Sequence, residues 1–161
     1  MNLPPIAINN LLSIILIGAS MTGMASQTPE NDRRARGEAA LTEIAGGAGR
    51  NVIDSLRDIA PELADWILDF SYGDVFSRPG LDYCTRELAT VAALTAMGNA
   101  QPQLKVHIGG ALNVGCEPAA IIDVILQMAV YAGFPSALNG VAAAREVFDD
   151  RGIDPRAAGK G

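Results

Sequence analysis

The sequence predicts an all-α fold, and three observations carry that prediction. Apolar residues recur at helical spacing, period-two alternation is almost absent, and Gly and Pro fall where helix ends belong. A polar, charged helix is expected from about Glu30 to Ala45, stopped at Gly46-Gly47. A second starts near Asn51 with Val52, Ile53 and Leu56 inward. Pro61 opens a third at a favoured first-turn position, with Leu63, Trp66, Ile67 and Phe70 at i, i+3, i+4 and i+7 as its inner stripe. Tyr72 to Gly80 reads as a loop, because Gly73, Pro79 and Gly80 interrupt it. The next helix spans about Leu81 to Met97, places Cys84, Leu88, Val91 and Leu94 on or near one stripe, and ends at Gly98. Asp82 and Arg86, four apart, are expected to pair on its other side. Three further helices start at Pro102, Pro118 and Pro135; the first two close at Gly115 and Gly133, and the last reaches about Phe148. The segment Ile121 to Ala132 is apolar nearly all round and is expected to be buried on most faces.

Composition narrows the function classes. The chain of 161 residues suits one compact domain, and with 49% hydrophobic residues it can bury a core. Twelve basic residues against 18 acidic ones give a net charge of -6. No basic run tracks a phosphate backbone and aromatic residues are few, so nucleic-acid binding is not expected. The two cysteines, Cys84 and Cys116, form no C-x-x-C, and a disulfide framework is not indicated. Cys84 reads as a small buried hydrophobe, with a reactive thiol as the alternative.

Residues 1–25 carry no charge, and Leu11 to Ala19 forms a short apolar core. Gly23-Met24-Ala25 then offers small residues before Ser26, as in a secretory signal; the core is too short for a membrane span. The expectation is an exported, periplasmic or secreted protein if this segment is a signal peptide, and a cytoplasmic one if it is an N-terminal arm. The tail, residues 149–161, is rich in Gly, Ala and charge and is expected to be flexible.

Two groups could carry chemistry. Glu87 is a carboxylate set into an apolar helical face, where burial raises a carboxyl pKa toward the range of proton transfer. It could equally be a buried hydrogen bond that fixes packing. His107, the one histidine, lies between Leu104 and the small residues Gly110 and Ala111. It is either a general acid or base or a satisfied core residue, and no second His or Cys stands at metal-ligand spacing.

Taken together, Asp82 to Leu88, Leu104 to Gly115 and Tyr131-Ala132-Gly133-Phe134-Pro135 resemble the carboxymuconolactone decarboxylase family, over about residues 74–148. The resemblance implies N-terminal helices over 26–73, a family-like helical core over 74–148, and a homo-oligomer, trimer or hexamer. The family's alkylhydroperoxidase D-like branch carries C-x-x-C-x-x-x-H. The matching positions here are Ala100 and Gln103, so the dithiol machinery is missing. The chain resembles the decarboxylase branch, which keeps Glu and His and uses neither metal nor organic cofactor. Departures occur after Gly115, where Ala120 and Asp123 replace acids of the family pattern. The resemblance implies a cofactor-free lyase acting on a small carboxylated lactone or keto acid, as in aromatic-compound catabolism. His107 would act as acid or electrophile and Glu87 as its partner; Arg86, Tyr131 and Cys84 are candidate substrate contacts. The alternatives are a thiol-dependent peroxidase and a non-catalytic helical oligomer.

Overall fold

The structure, a computed structural model, describes residues 29–155. Residues 1–25, read above as a signal or arm, lie outside the described residues, as do residues 156–161 of the expected tail. Among the described residues there are seven α-helices, one π-helical segment and no strand, so the all-α expectation is borne out. The order is α1 (Pro29–Ile44), α2 (Gly46–Leu56), α3 (Pro61–Trp66), the π segment (Ile67–Phe76), α4 (Tyr83–Met97), α5 (Gln101–Asn113), α6 (Pro118–Ala132) and α7 (Phe134–Arg151). No described helix is long and apolar enough to cross a membrane.

The Pro-in, Gly-out rhythm sets the boundaries. Proline occupies the first turn of α3, α5, α6 and α7, where its missing N–H costs nothing. Gly98 ends α4 at φ 74°, a left-handed conformation that glycine adopts without a Cβ penalty. Asp82 starts α4 by accepting from the Thr85 N–H at 2.7 Å, and that bond lowers its carboxyl pKa. The expected Asp82–Arg86 pair is therefore replaced by a cap, and Arg86 donates instead to the Arg78 carbonyl at 2.7 Å.

Two apolar clusters form. One joins α4 to α7 around Val91, Ile108, Ile121, Ile125 and Phe148. The other joins α1 and α2 to the π segment around Leu41, Ile44, Ile53, Leu68 and Tyr72. Several sequence expectations change here. The second helix begins at Gly46 rather than Asn51, and Ile53 points inward while Val52 is exposed. Of the stripe expected to be inward on the third helix only Ile67 packs on the core: Leu63, Trp66 and Phe70 are exposed, whereas Ala64, Leu68 and Tyr72 are buried. The buried face of α3 runs through Ala64 and continues into Leu68 and Tyr72, so Leu63, Trp66 and Phe70 fall on the other side; after Trp66 the winding changes to i→i+5. The expected loop from Tyr72 is helical as far as Phe76.

Gly73 acts in packing rather than as a breaker. A Cβ there would lie 2.7 Å from the Arg33 carbonyl oxygen, and one on Gly37 would lie 2.0 Å from that of Leu68. Two facing glycines thus let α1 and the π segment approach backbone to backbone. Arg33 donates to the Asp69 carbonyl at 3.1 Å and to Asp74, and Arg34 pairs with Asp69, whose carboxyl pKa that bond lowers. Charge-assisted bonds of this kind hold a loosely wound segment on a regular helix.

Cys84 and Cys116 form a disulfide, correcting the expectation of free cysteines. Sequence spacing could not show it; packing of α4 on the α5–α6 turn brings the Cα atoms to 5.3 Å. The bond closes a loop of sequence separation 32, which chain entropy values at about 3–4 kcal/mol. The double variant Cys84→Ser/Cys116→Ser is expected to lower the guanidinium unfolding midpoint accordingly. An unchanged midpoint would show that the cross-link constrains nothing.

Helix α6 also departs from expectation. Ile121 and Ile125 are buried, but Leu126 and Val130 are exposed, the latter at 78%. With Met97, Tyr131, Phe134 and Leu138 they leave an apolar surface about the α6–α7 turn. Helix α7 continues past Phe148 to Arg151, and Ile153 packs back on the α4–α7 cluster.

Candidate active site

The site forms where the two clusters meet. Helix α4 carries Glu87 and α5 carries His107, and these helices pack on each other. Glu87 is 0% exposed, and its carboxylate straddles the His107 Nδ1 at 3.0 Å and 3.2 Å. Gly110, one turn after His107, makes room for it: a Cβ at 110 would lie 3.1 Å from Glu87 Oε2 and 3.2 Å from Ile44 Cγ2. An ionised carboxylate has only acceptors to offer, so with Glu87 charged the proton sits on Nδ1 and Nε2 is the nitrogen left for chemistry.

His107 lines a cavity of about 280 Å³, at the small end of ligand pockets. Its walls come from α1, α2, the π segment, α4 and α5, and are mostly apolar. The polar side chains on it are Ser71, Tyr72, Thr90, Gln103 and His107, and none of the lining residues is an Asp, Glu, Lys or Arg. Glu87 is not part of the wall. It lies behind His107 and can act only through the imidazole or a proton passed along it. Phe76 stacks on His107 with centroids 6.5 Å apart and lies tilted against Tyr72 at 5.2 Å, a row of rings across the wall. A larger hollow of about 700 Å³ between α6 and α7, edged by Asp123, Arg145 and Asp149, includes neither Glu87 nor His107.

A histidine oriented by a buried acid in a small, mostly apolar cavity suits proton transfer to a small molecule. The model of the carboxymuconolactone decarboxylase family matches residues 61–146, more than half of the chain. This chain belongs to the carboxymuconolactone decarboxylase family. A 4-carboxymuconolactone decarboxylase of Acinetobacter baylyi is 33% identical over 132 residues, covering 81% of this chain and 98% of the relative. A nitrosuccinic acid decarboxylase of Metarhizium robertsii is 30% identical over 102 residues, 62% of this chain and 71% of that protein. An uncharacterized protein of Paracoccus denitrificans is 32% identical over 95 residues, 58% and 71% of the two chains. The family is of decarboxylase type, and the match reaches back past residue 74 to include α3 and the π segment.

Of the residues that the sequence offers for this family member's site, Glu87 and His107 come together and three others stay apart. Arg86 is held by the Arg78 carbonyl and does not line the His107 cavity. Tyr131 is 77% exposed at the end of α6. Cys84 is joined to Cys116 and is not in the cavity wall. Sequence reasoning missed Tyr72, Phe76 and Ser71, because a 3.6-residue template and a glycine made their segment look like a loop. The usable signal was the spacing Ile67, Ser71-Tyr72, Phe76, which repeats every four to five residues.

Proposed function

We propose that this protein is a cofactor-free decarboxylase of a small carboxylated lactone or keto acid. The observation that carries the reading is His107, walled by uncharged groups and held through Nδ1 by a carboxylate that the substrate does not reach. A substrate carboxylate entering such a cavity exchanges water for apolar wall, which favours loss of neutral CO2. The C–C bond breaks, and its electron pair passes into the neighbouring lactone or keto carbonyl to give an enolate. The His107 imidazolium then delivers the proton to carbon or oxygen and is re-protonated from solvent. Glu87 stabilises the charged ring and fixes its orientation. The thiol-peroxidase alternative finds both thiols consumed in one disulfide outside this cavity.

The test is CO2 release by the purified protein from a panel of 4-carboxymuconolactone, nitrosuccinate and simple β-keto acids. Release from one member is expected, and silence on all of them would overturn the reading. A homo-oligomer, trimer or hexamer, belongs to the same proposal, supported by the exposed apolar surface about the α6–α7 turn. Sedimentation is expected to show it, with Val130→Glu/Phe134→Glu reducing it to monomer. A monomeric parent protein would sink that part.

A further inference from the structure

The π segment supplies a group for which neither the family resemblance nor the named relatives provide a role. Its winding turns Ile67, Ser71-Tyr72 and Phe76 toward the His107 cavity, a spacing that an α-helix would not hold on one face. Tyr72 is the polar group among them with the most reach. The residue is only 6% exposed, its ring rests on Phe76, and its hydroxyl has no hydrogen-bond partner among the described residues. Nor is that hydroxyl sealed in: among the described residues, the fully enclosed, unpartnered side-chain polar atoms are Arg86 Nε and Thr95 Oγ1. A phenol that gives up water without a protein partner loses free energy unless a ligand accepts its proton.

Burial, and then the charge of Glu87, push the Tyr72 phenol pKa upward. It therefore stays protonated, as a donor rather than a base. Its backbone is held as well, since the Tyr72 carbonyl accepts from both the Ser77 hydroxyl, at 2.6 Å, and the Ser77 N–H, at 3.1 Å. Gly73 next to it sits against α1. A fixed donor facing a cavity of mostly apolar walls is what stabilisation of a developing oxyanion requires.

We infer that Tyr72 is a catalytic hydrogen-bond donor whose hydroxyl binds the enolate oxygen formed as CO2 leaves, while His107 protonates carbon. This assignment rests on the decarboxylase reading, but one arm of its test does not.

Tetronic acid, a small lactone whose enol is ionised at neutral pH, serves as a stable stand-in for the enolate. The chain has three tyrosines, so protein labelled with 3-fluorotyrosine gives few ¹⁹F resonances, and Tyr72→Phe assigns one of them by its loss. Tetronate is expected to shift the Tyr72 resonance and to bind Tyr72→Phe about ten-fold more weakly. On the panel substrate that turns over, Tyr72→Phe is expected to lower kcat about a hundred-fold with little change in KM, by analogy with loss of one oxyanion donor. If Tyr72→Phe fails to fold, Tyr83→Phe and Tyr131→Phe assign the other two resonances, and the shift of the remaining one in the labelled parent protein decides.

A shifted resonance with no CO2 release keeps the tyrosine as an oxyanion donor and removes the decarboxylase reading. CO2 release with an unmoved resonance and full kcat in Tyr72→Phe removes the tyrosine and keeps the reaction. A parent protein that neither releases CO2 nor binds tetronate overturns both.

Discussion

His107→Ala is expected to lower kcat for CO2 release about a thousand-fold with the helical fold intact. The size follows from general acid–base catalysis, which contributes roughly 10²–10⁴-fold. The fold survives because His107 is a cavity wall rather than a core filler: its side chain is 22% exposed, and the neighbouring residues Leu104, Ile108 and Ala111 do the burying. The variant leaves Glu87 enclosed without its partner, so some loss of stability accompanies the loss of rate.

Glu87 distinguishes positioning from packing. Glu87→Gln keeps an acceptor for Nδ1–H and nearly the same volume, so the fold and roughly a tenth of the rate should remain. Glu87→Ala removes the acceptor and opens a void against Gly110 and Ile44, and it should lose both stability and nearly all of the rate. Rescue by glutamine but not by alanine is the mark of a group that acts through the histidine. Unaltered turnover in His107→Ala, with a change in melting temperature alone, would leave the non-catalytic reading standing.

The second large effect is on stability, and two opposing magnitudes decide its sign. Gly37 lies inside α1, where alanine is favoured over glycine by about 1 kcal/mol in helix propensity. On propensity alone Gly37→Ala would stabilise. Its Cβ, however, would stand 2.0 Å from the Leu68 carbonyl oxygen and 2.9 Å from the carbon, both backbone atoms that no rotamer change can move. Overpacking costs about 1–3 kcal/mol where side chains can give, and more where they cannot. We expect a net loss of at least 2 kcal/mol, read as a fall in the urea midpoint. Because Leu68 sits between Ile67 and Ser71 on the cavity-building segment, CO2 release should fall with it. Gly47→Ala is the control: nothing lies within 4 Å of its Cβ, and the variant should be neutral or slightly stabilised. Equal stability of the two variants would show that α1 and the π segment do not need glycine at their contact.

The contrast between Gly37 and Gly98 shows how much was legible in one dimension. Gly98 was readable because a helix end is local: a left-handed residue after the last turn is needed wherever the helix stops. Gly37 was not, because its purpose is a carbonyl 31 positions away along the chain, at Leu68. The same division holds at the site. Glu87 and His107 announced themselves as charged or titratable groups on apolar helical faces. Tyr72 and Phe76 did not, since aromatic residues near a glycine read as loop or core until a partner helix shows which way they face. The Cys84–Cys116 bond was hidden for a similar reason, since pairing depends on how α4 meets the α5–α6 turn.

By itself, then, the sequence determined the all-helical class, most of the proline and glycine boundaries and the likeness to a decarboxylase family, and it offered the two ionisable residues of the candidate site. These rest on covalent constraints and short-range periodicity, which need no knowledge of the neighbouring element. Only the tertiary structure decided that Glu87 stands behind His107, that the π segment walls the cavity, that Trp66 and Val130 face outward and that the cysteines are joined. Each of those depends on which faces of two elements meet, and the free energy of that meeting comes from burial and close approach between residues distant in the chain.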